Sequence, residues 1–201
     1  MCLKNASFPL IFNEKKVFIK QEVTRDEELL YRANSDMAKR SYTGCFIYLL
    51  IWFAVVIPNR FYEDSREFFL LYTLLFVFFS VSRIVLLLNF EKLYRKSLRL
   101  WKTLFFTSVW LSALTWGILC ATALIHPIFE PLSLIILIST AGLTGGGVAA
   151  LVPNRMLTIG LISSLLLPST IILLSSDTYN VSLSLVFCLY WIGMYSITKI
   201  Q

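Results

Sequence analysis

Charge is scarce in this sequence, and acidic charge is missing from its most apolar stretches. Charged residues make up 15% of the 201 residues, whereas soluble domains carry about 25%. No carboxylate lies deep within a long apolar run, so the acidic groups that usually serve proton- or cation-coupled transport are absent there. The motifs G-x-S-x-G and H-E-x-x-H are absent too. These absences predict a chain that is not itself an enzyme.

Histidine and cysteine are also few, and their positions suit no metal or haem site. The chain has one histidine and four cysteines, and one histidine cannot supply a haem or a metal with two histidine ligands. Cys45, Cys120 and Cys188 fall within apolar runs, and Cys2 lies near the N-terminus, so no disulfide framework or metal-ligand spacing is visible. The sequence therefore predicts no metal and no cofactor.

Long apolar runs are what the sequence has in abundance. A membrane-spanning helix needs about 20 mostly apolar residues, and hydrophobic residues make up 57% of the chain. Continuous apolar runs, without alternation of polar residues, favour helices over barrel strands. We therefore predict an all-α bundle of six transmembrane helices in the lipid bilayer. The predicted spans are Ser41–Ile57, Phe68–Asn89, Thr103–Ile125, Leu132–Val152, Met156–Ser175 and Val181–Thr198.

Positive charge is concentrated in every second gap between these runs. Of the 18 Lys and Arg residues, 15 precede the first run or follow the second, fourth or sixth, whereas two follow the first. Because cytoplasmic segments carry the excess of Lys and Arg, this distribution predicts that both termini are cytoplasmic. The gaps on the opposite face are short, so sensing by a separate outer domain is excluded.

The chain before the first run divides at a predicted helix start. Thr24 and Glu27 fit a capping box, in which each satisfies free N–H groups of a helix beginning at Arg25. The predicted organisation is an irregular segment 1–24, an amphipathic lead-in helix 25–40, the transmembrane module 41–198 and a cytoplasmic end 199–201.

The segment between the second and third runs is basic and aromatic. Five cations surround Leu93, Leu100 and Trp101, a composition that suits the anionic cytoplasmic leaflet. Trp101 is expected at headgroup depth as an interface anchor. So short a segment between two spans leaves no room for nucleic-acid binding, which we exclude.

Three ionisable residues are candidate polar sensors: Arg83, His126 and Glu130. Arg83 is the one formal charge well inside a span, and intramembrane charges point to function. We expect its side chain to snorkel towards the cytoplasmic interface. His126 and Glu130 flank Pro127 at the outer edge, where a histidine beside a carboxylate can respond to pH or simply lie in solvent.

Glycines and a proline interrupt the fourth and fifth runs. Gly142 and Gly146 form a GxxxG pattern, with Gly145 beside them, and small residues let helices approach closely in lipid. Pro168 removes a helix hydrogen bond near the middle of run five. We predict close packing at the glycines, with a bend or small cavity as the other possibility, and a hinge or static kink at Pro168.

Run three adds polar and aromatic side chains to this candidate ligand pocket or hinge. Trp110 and Trp116 lie within the run, with Thr115 between them. Tryptophan away from the interface belt is uncommon in a span. The three side chains either line an apolar pocket together with the glycines and Pro168 or pack in the core.

Several sparse positions together resemble a known class of membrane module. They are Glu28-Leu-Leu-Tyr-Arg32, Leu100-Trp101, Ser112-Ala-Leu-Thr-Trp-Gly117, Val152-Pro153 after the Ala- and Gly-rich run, and Pro168. Over about residues 25–198 the chain resembles the N-terminal membrane-associated sensor regions of bacterial sensor histidine kinases and diguanylate cyclases. The resemblance implies a homodimeric input module in the bacterial inner membrane, acting on a cytoplasmic kinase or cyclase.

The sequence departs from that class after the last run. It stops at Lys199-Ile-Gln201 without an output domain, so it is either a piece of a longer protein or a shortened relative that acts through a partner. The predicted function is a membrane sensory module of a signalling system, such as a two-component system. The alternative is a small six-helix transporter or pore subunit, although the two halves lack the matching broken helices of inverted repeats.

Overall fold

The structure, a computed structural model, describes residues 10–151, 154–175 and 181–200. Within these ranges the chain forms eight α-helices and one short 3₁₀ helix, and no strand. The helices are α1 (Leu10–Val56), α2 (Phe61–Asp64), α3 (Arg66–Leu88), α4 (Phe90–Lys96), α5 (Leu98–Ile125), the 3₁₀ helix (Pro127–Phe129), α6 (Glu130–Leu151), α7 (Arg155–Ser175) and α8 (Val181–Ile200). The all-α prediction is confirmed for this part of the chain.

Among the described residues, four segments are long and apolar enough to cross a membrane. They are α3, α5, α6 together with the 3₁₀ helix before it, and α7. α8 contains a shorter apolar segment, Ser182–Ser196, and the first predicted run forms the C-terminal part of α1. The chain is therefore that of a helical membrane protein by length and composition, and the count of six spans stays a prediction.

The N-terminal part of the chain is more helical than predicted. α1 begins at Leu10 and continues through Thr24, so residues 10–24 are not irregular and the capping box does not start a helix. The reason is local, because no proline or glycine interrupts residues 10–43, and both residue types are the strongest helix breakers.

Some predicted features lie outside the described residues. These are residues 1–9, Val152 and Pro153, the predicted outer gap 176–180, and Gln201.

The chain divides into two compact units, Met1–Asp36 and Met37–Gln201. In the first, Arg32 forms an exposed ion pair with Glu28 one turn earlier, at 2.6 Å. The second unit contains the helical bundle and all the candidate site residues.

Helix α5 runs through the centre of the bundle and contributes a large share of its buried residues. Gly117 lies directly against α7: an added Cβ would meet the backbone carbonyls of Ser164 and Leu165 and the ring of Pro168. Pro168 has no N–H to bond the carbonyl of Ser164 four residues earlier, and the close approach of Gly117 packs against that carbonyl. α7 continues as one helix past Pro168.

An aromatic cluster joins α1, α3 and α5. The ring of Phe76 lies 5.7 Å from Trp116 and 6.4 Å from Tyr48, centroid to centroid. Trp52 also packs on Phe76, and its indole N–H donates to Thr73 Oγ1 at 2.8 Å. Buried aromatic side chains of this kind add specific ring geometry to their burial, which fixes the spacing of the three helices.

Trp101 is a core residue and not an interface anchor. Its side chain is fully buried and packs edge-on against Phe90 at 4.9 Å and flat against Phe105 at 5.2 Å. α4 folds back over the start of α5 and Phe90 covers the indole, so the side chain is not free to anchor at an interface; its depth in the membrane stays a prediction.

Substituting two glycines by alanine should have opposite effects on stability. Gly117→Ala places a methyl group against α7 backbone that cannot yield, and we expect a loss of about 1–3 kcal/mol in unfolding free energy. Gly146→Ala meets no atom within 4 Å and should gain up to about 1 kcal/mol from helix propensity. Reversible unfolding of both variants in detergent measures the difference, and equal effects would contradict the tight α5–α7 contact.

Candidate functional site

A buried arginine joins three helices at the centre of the candidate site. Arg83 on α3 is 4% exposed. Its Nη1 donates to the carbonyl of Gly44 on α1 at 3.1 Å, and its Nη2 donates to the carbonyl of Ser108 on α5 at 3.4 Å. Nη2 also donates to Ser112 Oγ, whose own hydroxyl donates to Val109 O. Neutral oxygens on two neighbouring helices therefore solvate the guanidinium.

The predicted snorkelling of Arg83 was wrong. Its side chain turns into the bundle, because the carbonyl of Gly44 and the two serines of α5 give it partners that the lipid interface would otherwise supply. Among the residues whose side chains the structure describes, the one ion pair is Arg32–Glu28, so none of their carboxylates balances Arg83. An arginine stays charged under all ordinary conditions, and the site is therefore positive.

A cavity of about 430 Å³ lies beside Arg83. This volume falls within the range of about 300–1,000 Å³ that is typical of small-molecule sites. Most of the lining comes from α1 and α6, with single residues from α3, α5 and α7. The lining residues of α1 are Arg40, Ser41, Gly44, Ile47, Tyr48 and Ile51; those of α6 are Ser139, Gly142, Leu143, Gly146, Gly147, Ala150 and Leu151; the others are Arg83, Val109 and Leu161.

The glycines of α6 give this cavity its width. An added Cβ at Gly142, Gly145 or Gly146 would meet no atom within 4 Å, so the close helix packing predicted for the GxxxG pattern does not occur at these positions within the chain. Gly142 and Gly146 instead line the cavity, and Gly145 does not. Packing occurs one residue later, where a Cβ on Gly147 would meet Leu161 of α7 at 2.9 Å.

The other residues of the predicted pocket lie away from the cavity. Trp116 is fully buried in the aromatic cluster and donates to Thr140 Oγ1 at 2.9 Å. Trp110 covers Gly160 of α7 and donates to Leu157 O at 3.3 Å. The hydroxyl of Thr115 donates to Leu111 O in its own helix. Together with Pro168, whose ring packs beside Gly117, they belong to helix packing.

The two predicted outer sensors are also separate from the cavity. His126 Nδ1 accepts a hydrogen bond from the backbone N–H of Ile128 at 3.4 Å, and its ring packs on Phe68 and Phe129. Glu130 is exposed in the first turn of α6, where a carboxylate is favourable to the helix dipole. The structure records no ion pair between His126 and Glu130, and both serve the turn that begins α6.

Two buried polar atoms of the cavity lining have no hydrogen-bond partner. They are Arg83 Nε and Ser41 Oγ, and Ser41 is 4% exposed. A buried polar atom without a partner costs about 1–3 kcal/mol, so each calls for an explanation.

Sequence reasoning singled out Arg83 but not Ser41, Gly44 or Ser108. The available signal was small or hydroxyl residues on α1 and α5, a pattern too common in membrane helices to be specific.

Helix α8 is attached to the cavity wall by a hydrogen bond. The hydroxyl of Tyr190 donates to the carbonyl of Ala141 at 2.9 Å, directly beside Gly142. A displacement of this part of α6 therefore changes a contact of α8.

In the part of the chain that the structure describes, no cluster of three or more His, Cys, Asp or Glu side chains is placed to hold a metal ion.

Comparisons with protein families, with curated proteins and with solved structures found no match to this chain.

The bond between Arg83 and Ser112 can be measured by a double-mutant cycle. Ser112→Ala removes an acceptor from a buried cation, and we expect a loss of about 1.5–3 kcal/mol in unfolding free energy. In an Arg83→Met background the same change should cost much less, because no charge is left unpaired. Unfolding in detergent gives the four free energies. Equal costs of Ser112→Ala in both backgrounds would show that the two side chains are not coupled.

Proposed function

We propose that this chain is the membrane-embedded input module of a bacterial signalling system. Occupancy of the cavity between α1 and α6 would change the packing of α6, and α8 would pass the change to a cytoplasmic kinase or cyclase, in the same protein or in a partner. The observation that carries the proposal is the hydrogen bond from Tyr190 to Ala141, which attaches α8 to the wall of the cavity.

Two further features support a switch at this place. The glycines Gly142 and Gly146 have open space beside them, so α6 can approach α1 or be held away from it by a ligand. By contrast, Gly117 fixes α5 against α7 by close backbone contact. A ligand shifts such an equilibrium only by its differential affinity for the two arrangements, and a cavity that exists in one of them supplies that difference.

The proposal includes six spans with both termini in the cytoplasm and a homodimer in the bacterial inner membrane. The distribution of Lys and Arg supports this orientation, and the resemblance of residues 25–198 to sensor regions supports the dimer. Signals in such modules pass through paired helices, so a dimer would bring the cytoplasmic ends of two α8 helices together.

Impermeant labelling of single cysteines tests the orientation. In right-side-out vesicles, cysteines at Arg60 and Glu130 should react with a charged maleimide, whereas a cysteine at Lys96 should react only after permeabilisation. All three residues are exposed, so burial in the bundle does not account for a negative result. The native cysteines are first replaced by alanine. Labelling of Lys96→Cys in intact vesicles would contradict the proposed orientation.

A filled cavity should move α8. Gly146→Leu places a side chain in the open space beside α6 and mimics an occupied state. Spin labels at Ser196 on α8 and Glu91 on α4, both exposed, report the distance between these helices in nanodiscs. We expect the distance distribution to shift in Gly146→Leu relative to the unsubstituted chain.

Ala149→Leu is the control for this measurement, because Ala149 lies on the same helix but is exposed and does not line the cavity. Its distribution should match that of the unsubstituted chain. Identical distributions in all three proteins would contradict the sensory mechanism. Solute flux through the chain in proteoliposomes would instead favour the small transporter or pore.

A further inference from the structure

We infer that the cavity binds a single-chain amphipathic carboxylate, such as a fatty acid, with its carboxylate at Arg83 and Ser41. The inference rests on the proposed function, because it names the class of ligand that would drive the proposed switch. It depends on three observations: an unbalanced buried cation, two unpartnered polar atoms, and an elongated apolar wall.

Charge selects an anion. The cavity is lined by two cations, Arg40 and Arg83, and by no acidic residue. Arg83 is buried and has only neutral oxygens as hydrogen-bond partners. A buried charge without a counterion is costly, so a ligand that brings a negative charge into this cavity is favoured over a neutral or cationic one of the same shape.

The number of unoccupied donors suits a carboxylate. Both Nη atoms of Arg83 already donate to protein oxygens, whereas Arg83 Nε and Ser41 Oγ have no partner. Ser41 lies one helical turn before Gly44, which Arg83 contacts, and residues three apart share a helix face. Arg83 Nε and Ser41 Oγ offer two donors to the two oxygens of a carboxylate. A lipid phosphate shares this anionic chemistry, and one arm of the experiment below distinguishes it from a free carboxylate.

The remainder of the lining suits an acyl chain. From Ser41 to Ile51 the α1 wall extends about 15 Å at 1.5 Å per residue, and beyond Gly44 its lining residues include Ile47 and Ile51. The lining from α6 adds three glycines, which have no side chain, and the apolar residues Leu143, Ala150 and Leu151. A cavity of about 430 Å³ is near the lower end of the range for small-molecule sites, which favours one chain over the two of a phospholipid.

Equilibrium dialysis of radiolabelled laurate tests the assignment. The full chain is reconstituted in phosphatidylcholine nanodiscs, and binding is corrected with empty nanodiscs. We expect saturable binding that lauryl alcohol and dodecyltrimethylammonium do not displace. Arg83→Gln should weaken binding at least about tenfold, whereas Arg83→Lys should retain more of it because the charge is kept. Displacement by lauryl alcohol at the same concentration as unlabelled laurate would overturn the assignment.

Gly146→Leu keeps the test independent of any folding defect in the arginine variants, because Cβ at this position meets no atom. It should abolish saturable laurate binding by filling the cavity. Gly193→Leu is the matched control: Gly193 also has no atom within 4 Å of an added Cβ, is exposed on α8 and does not line the cavity. Unchanged binding in Gly146→Leu would place laurate elsewhere and overturn the assignment.

Two further arms separate the alternatives. Laurate binding should be the same in nanodiscs that contain phosphatidylglycerol as in those of phosphatidylcholine alone. Weaker laurate binding in the presence of phosphatidylglycerol would assign the site to a lipid phosphate instead of a free carboxylate. The spin-label distance between α4 and α8 is measured with and without laurate. Binding without a change of distance supports the ligand assignment and overturns the sensory function. A shift in Gly146→Leu without any laurate binding supports the function and overturns the ligand.

Discussion

The architecture depends on how one positive charge is accommodated among apolar helices. Arg83 carries its charge into the bundle on α3 and is solvated by oxygens of α1 and α5. In hydrocarbon no water replaces these partners, so the three helices are held in a register that keeps all of them in reach. The cluster of Tyr48, Phe76 and Trp116 packs beside the same three helices and stabilises the arrangement by burial. The cavity arises where this frame ends and α6 presents glycines.

The sequence predicted the helical class and most helix positions well, because long apolar runs without alternating polar residues favour helices over barrel strands in lipid. It was less informative where tertiary contacts decide the outcome. Trp101 has the composition of an interface anchor around it, yet the fold of α4 over α5 buries it. Thr24 has the local pattern of a helix cap, yet no proline or glycine interrupts the chain on either side of it, and α1 continues through it.

The candidate site was predictable in part. Arg83, Gly142 and Gly146 were recognisable from the sequence as exceptional, and all three line one cavity. Their relationship was not recognisable, because the sequence does not say whether a GxxxG face packs on a helix or borders open space. Ser41 carried no signal at all, since its importance comes from an unpartnered hydroxyl that only the packing of its neighbours creates.

The hydrogen-bond partners of Arg83 are synthesised at different times. Gly44 precedes Arg83 in the chain, whereas Ser108 and Ser112 follow it. During synthesis, α3 leaves the ribosome when α1 is already available and α5 is not yet made. At that stage the guanidinium has one available acceptor, the carbonyl of Gly44. Its other two acceptors, on Ser108 and Ser112, become available when α5 is made. A chain that ends before α5 therefore leaves the Arg83 guanidinium with one of its three protein acceptors.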